Sequence, residues 1–147
     1  MRRLLAVGLS ASLLGCAQAE PCEENLGAQT LDERIQLVVA DQAVSAELAD
    51  DEVERERGWR RRSCNREALL LVPDRPEPLA VWGCELAQAI DVIGLHEGTV
   101  AYVQRLEPCE APCGGCPTVG DDITVDGVLE VPAGALDVEV GDAVDWP

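Results

Sequence analysis

The apolar residues of this chain fall into many short runs separated by Pro, Gly and acidic residues. Such runs are too short for typical helices but suit buried or half-buried strands. Valine and isoleucine are frequent in them, and β-branched side chains favour strands. The pattern predicts a mostly-β fold, a small single-domain barrel or sandwich of short antiparallel strands. Representative runs lie at 35–39, 68–72, 90–95 and 128–131.

One segment departs from the strand pattern. Acidic residues open it at 50–52, and three arginines close it at 60–62. Negative charge at the start and positive charge at the end match the helix macrodipole. The sequence therefore predicts one short helix over about 51–62. Gly58 inside this segment costs about 1 kcal/mol relative to Ala in a helix, so we expect a packing reason for it.

The N-terminus resembles the signal of a bacterial lipoprotein. Two arginines precede an apolar run that ends in Leu13-Leu14-Gly15-Cys16. A basic start, an apolar stretch and a small residue before the cleavage point are typical of export. We predict a signal peptide over 1–15 with the lipobox at 13–16, a tether over 16–31 and a β-rich domain over 32–147. Cys16 would carry the lipid that anchors the protein to a membrane.

Ordinary secretion is the alternative. The stretch Ala17-Gln18-Ala19 also fits the small-x-small cleavage rule, which would leave Glu20 first. The apolar run is about half the roughly 20 residues that span a bilayer. We expect an exported, lipid-anchored protein of the cell envelope, at the outer membrane facing the periplasm in a Gram-negative organism. A secreted or periplasmic soluble protein is the alternative.

The chain is strongly acidic. It has 28 Asp and Glu against 11 Lys and Arg, a formal net charge of −17. Such a surface repels nucleic acid, and aromatic residues are too few to form base-stacking platforms. We therefore expect no nucleic-acid partner. We expect a monomer with no cofactor, and the small-molecule or protein partner stays open.

Six cysteines follow both cleavage sites. An even number in an exported chain indicates disulfides. The sequence does not select the connectivity, although a link from Cys109 to Cys116 or Cys113 is the easiest to form. The alternative is a thiol-redox or metal-binding protein, with Cys113 and Cys116 as a redox pair or with zinc held by the loop cysteines and His96. The disulfide candidates are Cys22, Cys64, Cys84, Cys109, Cys113 and Cys116.

A series of short motifs occurs in a characteristic order. The closest is Leu129-Glu130-Val131-Pro132-Ala133-Gly134. The others are Ala46-Glu47-Leu48-Ala49-Asp50, Arg57-Gly58-Trp59, Val81-Trp82, Ile90-Asp91-Val92, Gly98, Cys116-Pro117-Thr118 and Gly141-Asp142. From about 35 to 146 the chain resembles the family called domain of unknown function 192. The resemblance implies a compact β-rich fold, often exported, and no catalytic assignment. The family's Met-Lys-Asn-Thr stretch is replaced here at 83–86, so binding through that edge would differ.

Four residues are candidates for a groove: Trp82, Glu85, Asp91 and Glu130. We expect a non-catalytic binding or structural domain that uses them. The alternative is a carbohydrate-active or other hydrolase with Asp91 and Glu130 as acid and base near Trp82, because paired carboxylates about 5–9.5 Å apart cleave glycosidic bonds. We assign no catalytic residue and no metal ligand.

Overall fold

A computed structural model describes residues 27–62, 67–109 and 112–147. The predicted signal peptide, Cys16, Cys22 and Cys64 lie outside these residues. The described chain is mostly β, as the sequence predicts, with one nearly closed, barrel-like sheet and one short α-helix. In chain order the elements are β1 (Arg34–Val39), β2 (Gln42–Ala49), α1 (Glu52–Arg57), β3 (Leu69–Leu71), β4 (Glu77–Pro78), β5 (Val81–Trp82), β6 (Ile90–His96), β7 (Thr99–Leu106), β8 (Thr118–Val119), β9 (Thr124–Val125), β10 (Gly127–Pro132) and β11 (Val144–Asp145).

The main sheet has seven strands in the order β11-β1-β2-β3-β10-β6-β7. Its pairs are antiparallel except β2 with β3, which run parallel. Parallel neighbours need a crossover connection, and here the segment that carries α1 supplies it. The sheet is therefore antiparallel, as predicted, apart from this one parallel pair. The short pairs β4–β9 and β5–β8 lie outside the main sheet.

The two ends of the main sheet are joined through the segment before β11. Val144 donates its backbone N–H to the carbonyl of Gly98, and Val100 donates to the carbonyl of Asp142. On the other side, Ala40 donates to the carbonyl of Ala143. These bonds connect β7 to the β1–β2 turn, so few edge groups stay unpaired and the sheet is nearly a barrel.

Side chains alternate between two apolar clusters on the opposite faces of the sheet. The inner cluster fills the barrel and includes Leu37, Leu70, Ile93 and Leu129. The outer cluster lies on the other face, over β3, β10 and β6. It is made by Trp59, Leu69, Leu71, Val81, Leu86, Ile90, Val92, Tyr102, Leu106, Val125 and Val128, with Ala49. The segment after α1 and the strand β5 thus pack on the outside of the barrel.

The helix α1 is shorter than the predicted 51–62. Asp51 caps it, because its side chain accepts a hydrogen bond of 2.9 Å from the backbone N–H of Glu54. Gly58 ends it with a φ of 46°, which favours glycine. A Cβ on Gly58 would lie 3.5 Å from Oε1 of Glu130, an ordinary contact distance, so the positive φ and not a lack of space favours glycine here. Residues 58–62 consequently turn away from the helix axis and lie on the outer face.

A substitution at a second glycine, Gly94, tests how tightly the outer face is packed. A Cβ on Gly94 in β6 would lie 2.2 Å from Cε1 of Tyr102. We expect Gly94→Ala to lower the free energy of unfolding by about 1–3 kcal/mol, as overpacking does, measured by urea denaturation. Gly114→Ala is the matched control, because nothing lies within 4 Å of its Cβ position. Equal stability of the two variants would contradict this packing.

Candidate functional site

A small recess opens on the outer face, between the end of α1 and β5, with β10 beneath it. Its volume is about 80 Å³, enough for a few water molecules or a small ion with a short tail. We call it the Glu130 recess. Its lining residues are Arg55, Glu56, Arg57, Gly58, Trp59, Arg60, Leu71, Ala80, Val81, Trp82 and Glu130.

Glu130 is the polar group of the recess that comes from the sheet itself. On β10 it lies opposite Leu69 of β3 and Val92 of β6, which places its side chain on the outer face. It is 1% exposed, and its Oε2 has no hydrogen-bond partner in the described chain. Burial raises the pKa of this carboxyl to about 8, although the positive charge of Arg62 opposes the shift. At neutral pH the carboxyl therefore keeps its proton and can donate a hydrogen bond.

A buried ion pair explains why Glu130 is the carboxyl that stays neutral. Arg62 contacts Oε2 of Glu47 at 2.6 Å, and both side chains are almost fully buried. Glu47 lies opposite Leu69, which in turn lies opposite Glu130. Two buried carboxyls therefore lie near the guanidinium of Arg62, and the half-exposed Arg34 also contacts Glu47, at 3.9 Å. Since Glu47 makes the direct contact with Arg62, ionising Glu130 would place a second buried negative charge beside the same guanidinium.

Two tryptophans and an arginine form the walls of the recess. Trp59 is 1% exposed, and its Nε1–H has no hydrogen-bond partner in the described chain. Trp82 is half-buried, and the guanidinium of Arg60 lies over its ring, 5.1 Å from the centroid. This distance is within the range of a cation–π contact. The contact holds Arg60 beside the recess.

The rim of the recess is positively charged although the protein is acidic. Arg55, Arg57 and Arg60 line it with one acid, Glu56. Arg55 also forms an ion pair of 3.5 Å with Asp74. A local excess of guanidinium groups around a neutral, proton-bearing carboxyl favours an anion over a cation.

Residues from the predicted tether contribute to this region. Gln29 is 8% exposed and donates from Nε2 to the carbonyls of Glu54 and Gly58, at 2.9 and 3.0 Å. Leu31 donates its backbone N–H to Oε2 of Glu47 at 2.9 Å. The chain thus already contacts the domain at Gln29, two residues before the predicted end of the tether at 31.

The structure brings together two of the four predicted groove residues, Trp82 and Glu130. Glu85 lies beside the recess but does not line it. Its Oε1 accepts a hydrogen bond of 2.6 Å from Arg61, and this bond is the main cause that lowers the pKa of Glu85. Its backbone carbonyl accepts a second bond from the N–H of Arg61. Glu85 thus positions the segment that carries Arg60.

Asp91 lies on the opposite face of the sheet. It is paired in register with Val131, whereas Glu130 is paired with Val92, and directly opposed residues share a face. Arg105 contacts its two carboxylate oxygens at 2.7 and 3.0 Å, and the N–H of Gly134 donates to it at 2.6 Å. Desolvation favours the protonated form, but these bonds prevail and lower its pKa. The alternative that pairs Asp91 with Glu130 in a hydrolase is therefore wrong.

Within the residues that the structure describes, four cysteines form two disulfides, Cys109–Cys116 and Cys84–Cys113. The predicted link from Cys109 to Cys116 is confirmed, and disulfides are consistent with an exported protein. The redox pair of Cys113 with Cys116 is wrong, because each is bonded to another cysteine. Sulfurs in disulfides offer no thiolate to zinc, so the metal alternative at 109–116 is wrong as well. His96 instead faces Asp126, at 3.3 Å.

Sequence reasoning missed Trp59 and Arg60, which line the recess. It also missed the buried pair of Arg62 and Glu47. The arginines at 60–62 were sufficiently explained by the helix macrodipole, and the recess exists because the helix ends before them. The one available signal was Gly58, an unfavourable helix residue directly before a tryptophan and three arginines.

The sequence of residues 35–146 matches the family model of domain of unknown function 192, described as an uncharacterized ACR. The chain belongs to the DUF192 family. This confirms the resemblance predicted from the motifs, with the same span. The comparison with curated proteins gives no match.

Two solved structures share this DUF192 fold. One, from Sinorhizobium meliloti 1021, is described as a candidate transcription regulator; it is 24% identical over 78% of this chain and 92% of that chain, with a TM-score of 0.60. The other is a protein of unknown function from Novosphingobium aromaticivorans DSM 12444, 18% identical over 77% of this chain and 84% of that chain, with a TM-score of 0.63. At these identities the likeness concerns the fold alone. Within the described residues, no helix has the length and apolar character needed to cross a bilayer.

Proposed function

We propose that this DUF192 protein is exported, anchored in the cell envelope by lipid on Cys16, and that its domain is a non-catalytic binding module. The binding site is the Glu130 recess, and the ligand is a small molecule carrying negative charge. No step of covalent chemistry is assigned to the site.

The observation that carries the binding proposal is the buried carboxyl of Glu130: its Oε2 has no partner in the described chain, and the residue borders an open recess. Leaving a buried polar group unpaired costs about 1–3 kcal/mol. A ligand that accepts a hydrogen bond from it recovers this free energy. The buried Nε1–H of Trp59 supports the proposal, because it is a second donor without a described partner in the same lining.

The anchor is tested by intact mass of the protein purified from its native membranes. We expect an N-terminal Cys16 carrying acyl chains, since two or more chains are needed for stable attachment. Alkylation before and after reduction is expected to label Cys84, Cys109, Cys113 and Cys116 only after reduction. A soluble product that begins at Glu20 would remove the anchor from the proposal and leave the binding module.

The binding module is tested by closing the recess. Ala80 is exposed and lines the mouth, so Ala80→Trp narrows the opening without disturbing a buried position. The readout is the indole N–H resonance of Trp59 during titration with singly charged probes of either sign. We expect the wild type to show a ligand-induced shift of this resonance and Ala80→Trp to lose it. Val53→Trp, at an exposed position of α1 outside the recess, is the control. A Trp59 response that persists unchanged in Ala80→Trp would show that the recess is not the site.

A further inference from the structure

We propose that the ligand of the Glu130 recess is a short-chain monocarboxylate, which accepts a hydrogen bond from the Glu130 carboxyl and is held by the guanidinium of Arg60. This inference rests on the proposed binding function and adds the chemical class of the ligand.

The polar groups of the recess are mostly donors. The guanidinium groups of Arg55, Arg57 and Arg60 and the indole of Trp59 can donate but not accept. Glu56 is the one carboxylate on the rim. A ligand that matches this set must present acceptor oxygens and a negative charge, which excludes an ammonium or another cation as the best fit.

Charge and size distinguish a carboxylate from a more highly charged anion. Arg55 is already paired with Asp74, and the net charge of the protein opposes a dianion. A single negative charge is balanced by Arg60, which the ring of Trp82 holds beside the opening. A carboxylic acid facing a carboxylate makes a short, charge-assisted O–H···O⁻ bond, stronger than a neutral hydrogen bond.

The rest of the lining is apolar. Leu71, Val81 and Ala80 lie in the same recess as the donors, and Leu71 and Val81 are buried members of the outer cluster. A ligand with a carboxylate at one end and a few CH₂ or CH₃ groups at the other matches both the donor groups and the apolar side chains of the lining. In a volume of about 80 Å³ the tail must be short.

The proton on Glu130 makes binding dependent on pH. Three groups face Glu130: Arg62 from the segment after α1, its partner Glu47 on β2, and Tyr102 on β7. The charged residues around the mouth of the recess are Arg55, Glu56, Arg57 and Arg60. Arg62 favours the ionised form of Glu130, whereas burial favours the protonated form and prevails. Once Glu130 ionises it repels a carboxylate, so binding is expected to weaken as the pH passes about 8.

The probes are acetate, propionate, phosphate and methylammonium, titrated into ¹⁵N-labelled protein at pH 6 while the indole N–H of Trp59 is observed by NMR. We expect acetate and propionate to shift this resonance, and propionate to bind more tightly. In Arg60→Ala the affinity for acetate is expected to fall about tenfold or more, since a hydrogen bond to a charged group contributes about 1.5–3 kcal/mol. Arg75→Ala is the control, because Arg75 is 82% exposed and paired with Glu77.

A second variant isolates the proton. Glu130→Gln keeps a donor of similar shape but cannot ionise. We expect it to bind acetate at pH 6 and to keep that affinity at pH 9, where the wild type has lost about tenfold or more of its own. Equal losses in the wild type and Glu130→Gln would show that the proton of Glu130 takes no part.

The failures of the two proposals are distinguishable. A Trp59 response to phosphate but not to acetate would overturn the carboxylate class and leave the proposed anion-binding module in place. A response to methylammonium alone would also overturn the negative charge of the proposed ligand. No response to any probe would overturn both. An acetate response unaffected by Arg60→Ala would place the carboxylate elsewhere and overturn the inference.

Discussion

Glu130→Gln is expected to stabilise this protein at alkaline pH, although it replaces a buried residue of the sheet. The folded-state pKa of Glu130 is raised to about 8 from an ordinary value of 4.5. Between these values the native state holds a proton that the unfolded chain has released. The free energy of unfolding therefore falls as the pH rises through this window, by up to about 1.4 kcal/mol per pH unit. Because glutamine cannot ionise, the Glu130→Gln variant does not undergo this fall in the free energy of unfolding.

The measurement is urea denaturation with intact disulfides at pH 5, 6, 7, 8 and 9, for the wild type and Glu130→Gln. The informative quantity is the difference between the two free energies of unfolding, since the other carboxylates contribute equally to both. We expect this difference to grow by several kcal/mol from pH 5 to 8 in favour of the variant, and then to level off. Glu33→Gln, at an exposed position, is the control and should follow the wild type. Parallel curves would contradict a neutral Glu130.

The hairpins of this fold are largely predictable from the sequence. The turn at Glu97 and Gly98 and the apolar runs on either side predict β6 and β7 to within a residue or two. The turn between β1 and β2 lies at Ala40 and Asp41, both with positive φ, directly after the apolar run at 35–39. These features depend on neighbouring residues in the sequence, and local preferences specify them.

The site depends on pairings that no local pattern contains. Asp91 and Glu130 both lie in apolar runs, and only the register of β6 against β10 shows that they point to opposite faces. A shift of one residue in that register would place both carboxylates on the same face. Sequence patterns therefore identified the two residues but could not determine whether they meet.

The three successive arginines after α1 illustrate the same limit. The structure gives each a different partner: Arg60 lies over the ring of Trp82, Arg61 contacts Glu85, and Arg62 contacts Glu47. In a continued helix they would point in three directions about its axis, and the macrodipole alone would explain their charge. Because Gly58 ends the helix, the segment instead follows the outer face and builds the recess.

Arg62→Met is expected to be the most destabilising of the changes considered. It removes from the buried Glu47 the guanidinium that contacts it at 2.6 Å, and breaking a buried ion pair in this way typically costs about 3–5 kcal/mol. The loss is measured as the change in the free energy of urea unfolding at pH 7. Arg75→Met is the control, because Arg75 and its partner Glu77 are 82% and 44% exposed, and exposed pairs contribute about 1 kcal/mol or less.

The double variant Glu47→Gln with Arg62→Met tests whether the pair or the arginine alone matters. Since it removes both buried charges, we expect it to be less destabilised than the sum of the two single changes.

The same double variant also tests whether the ion pair affects the protonation of Glu130 in the recess. Arg62 opposes the upward shift in the pKa of Glu130, so without Arg62 that carboxyl should stay protonated to higher pH. The pH-dependent loss of stability should then continue above pH 8 in the double variant. If the free energy of unfolding falls over the same pH range as in the wild type, Arg62 does not act on Glu130.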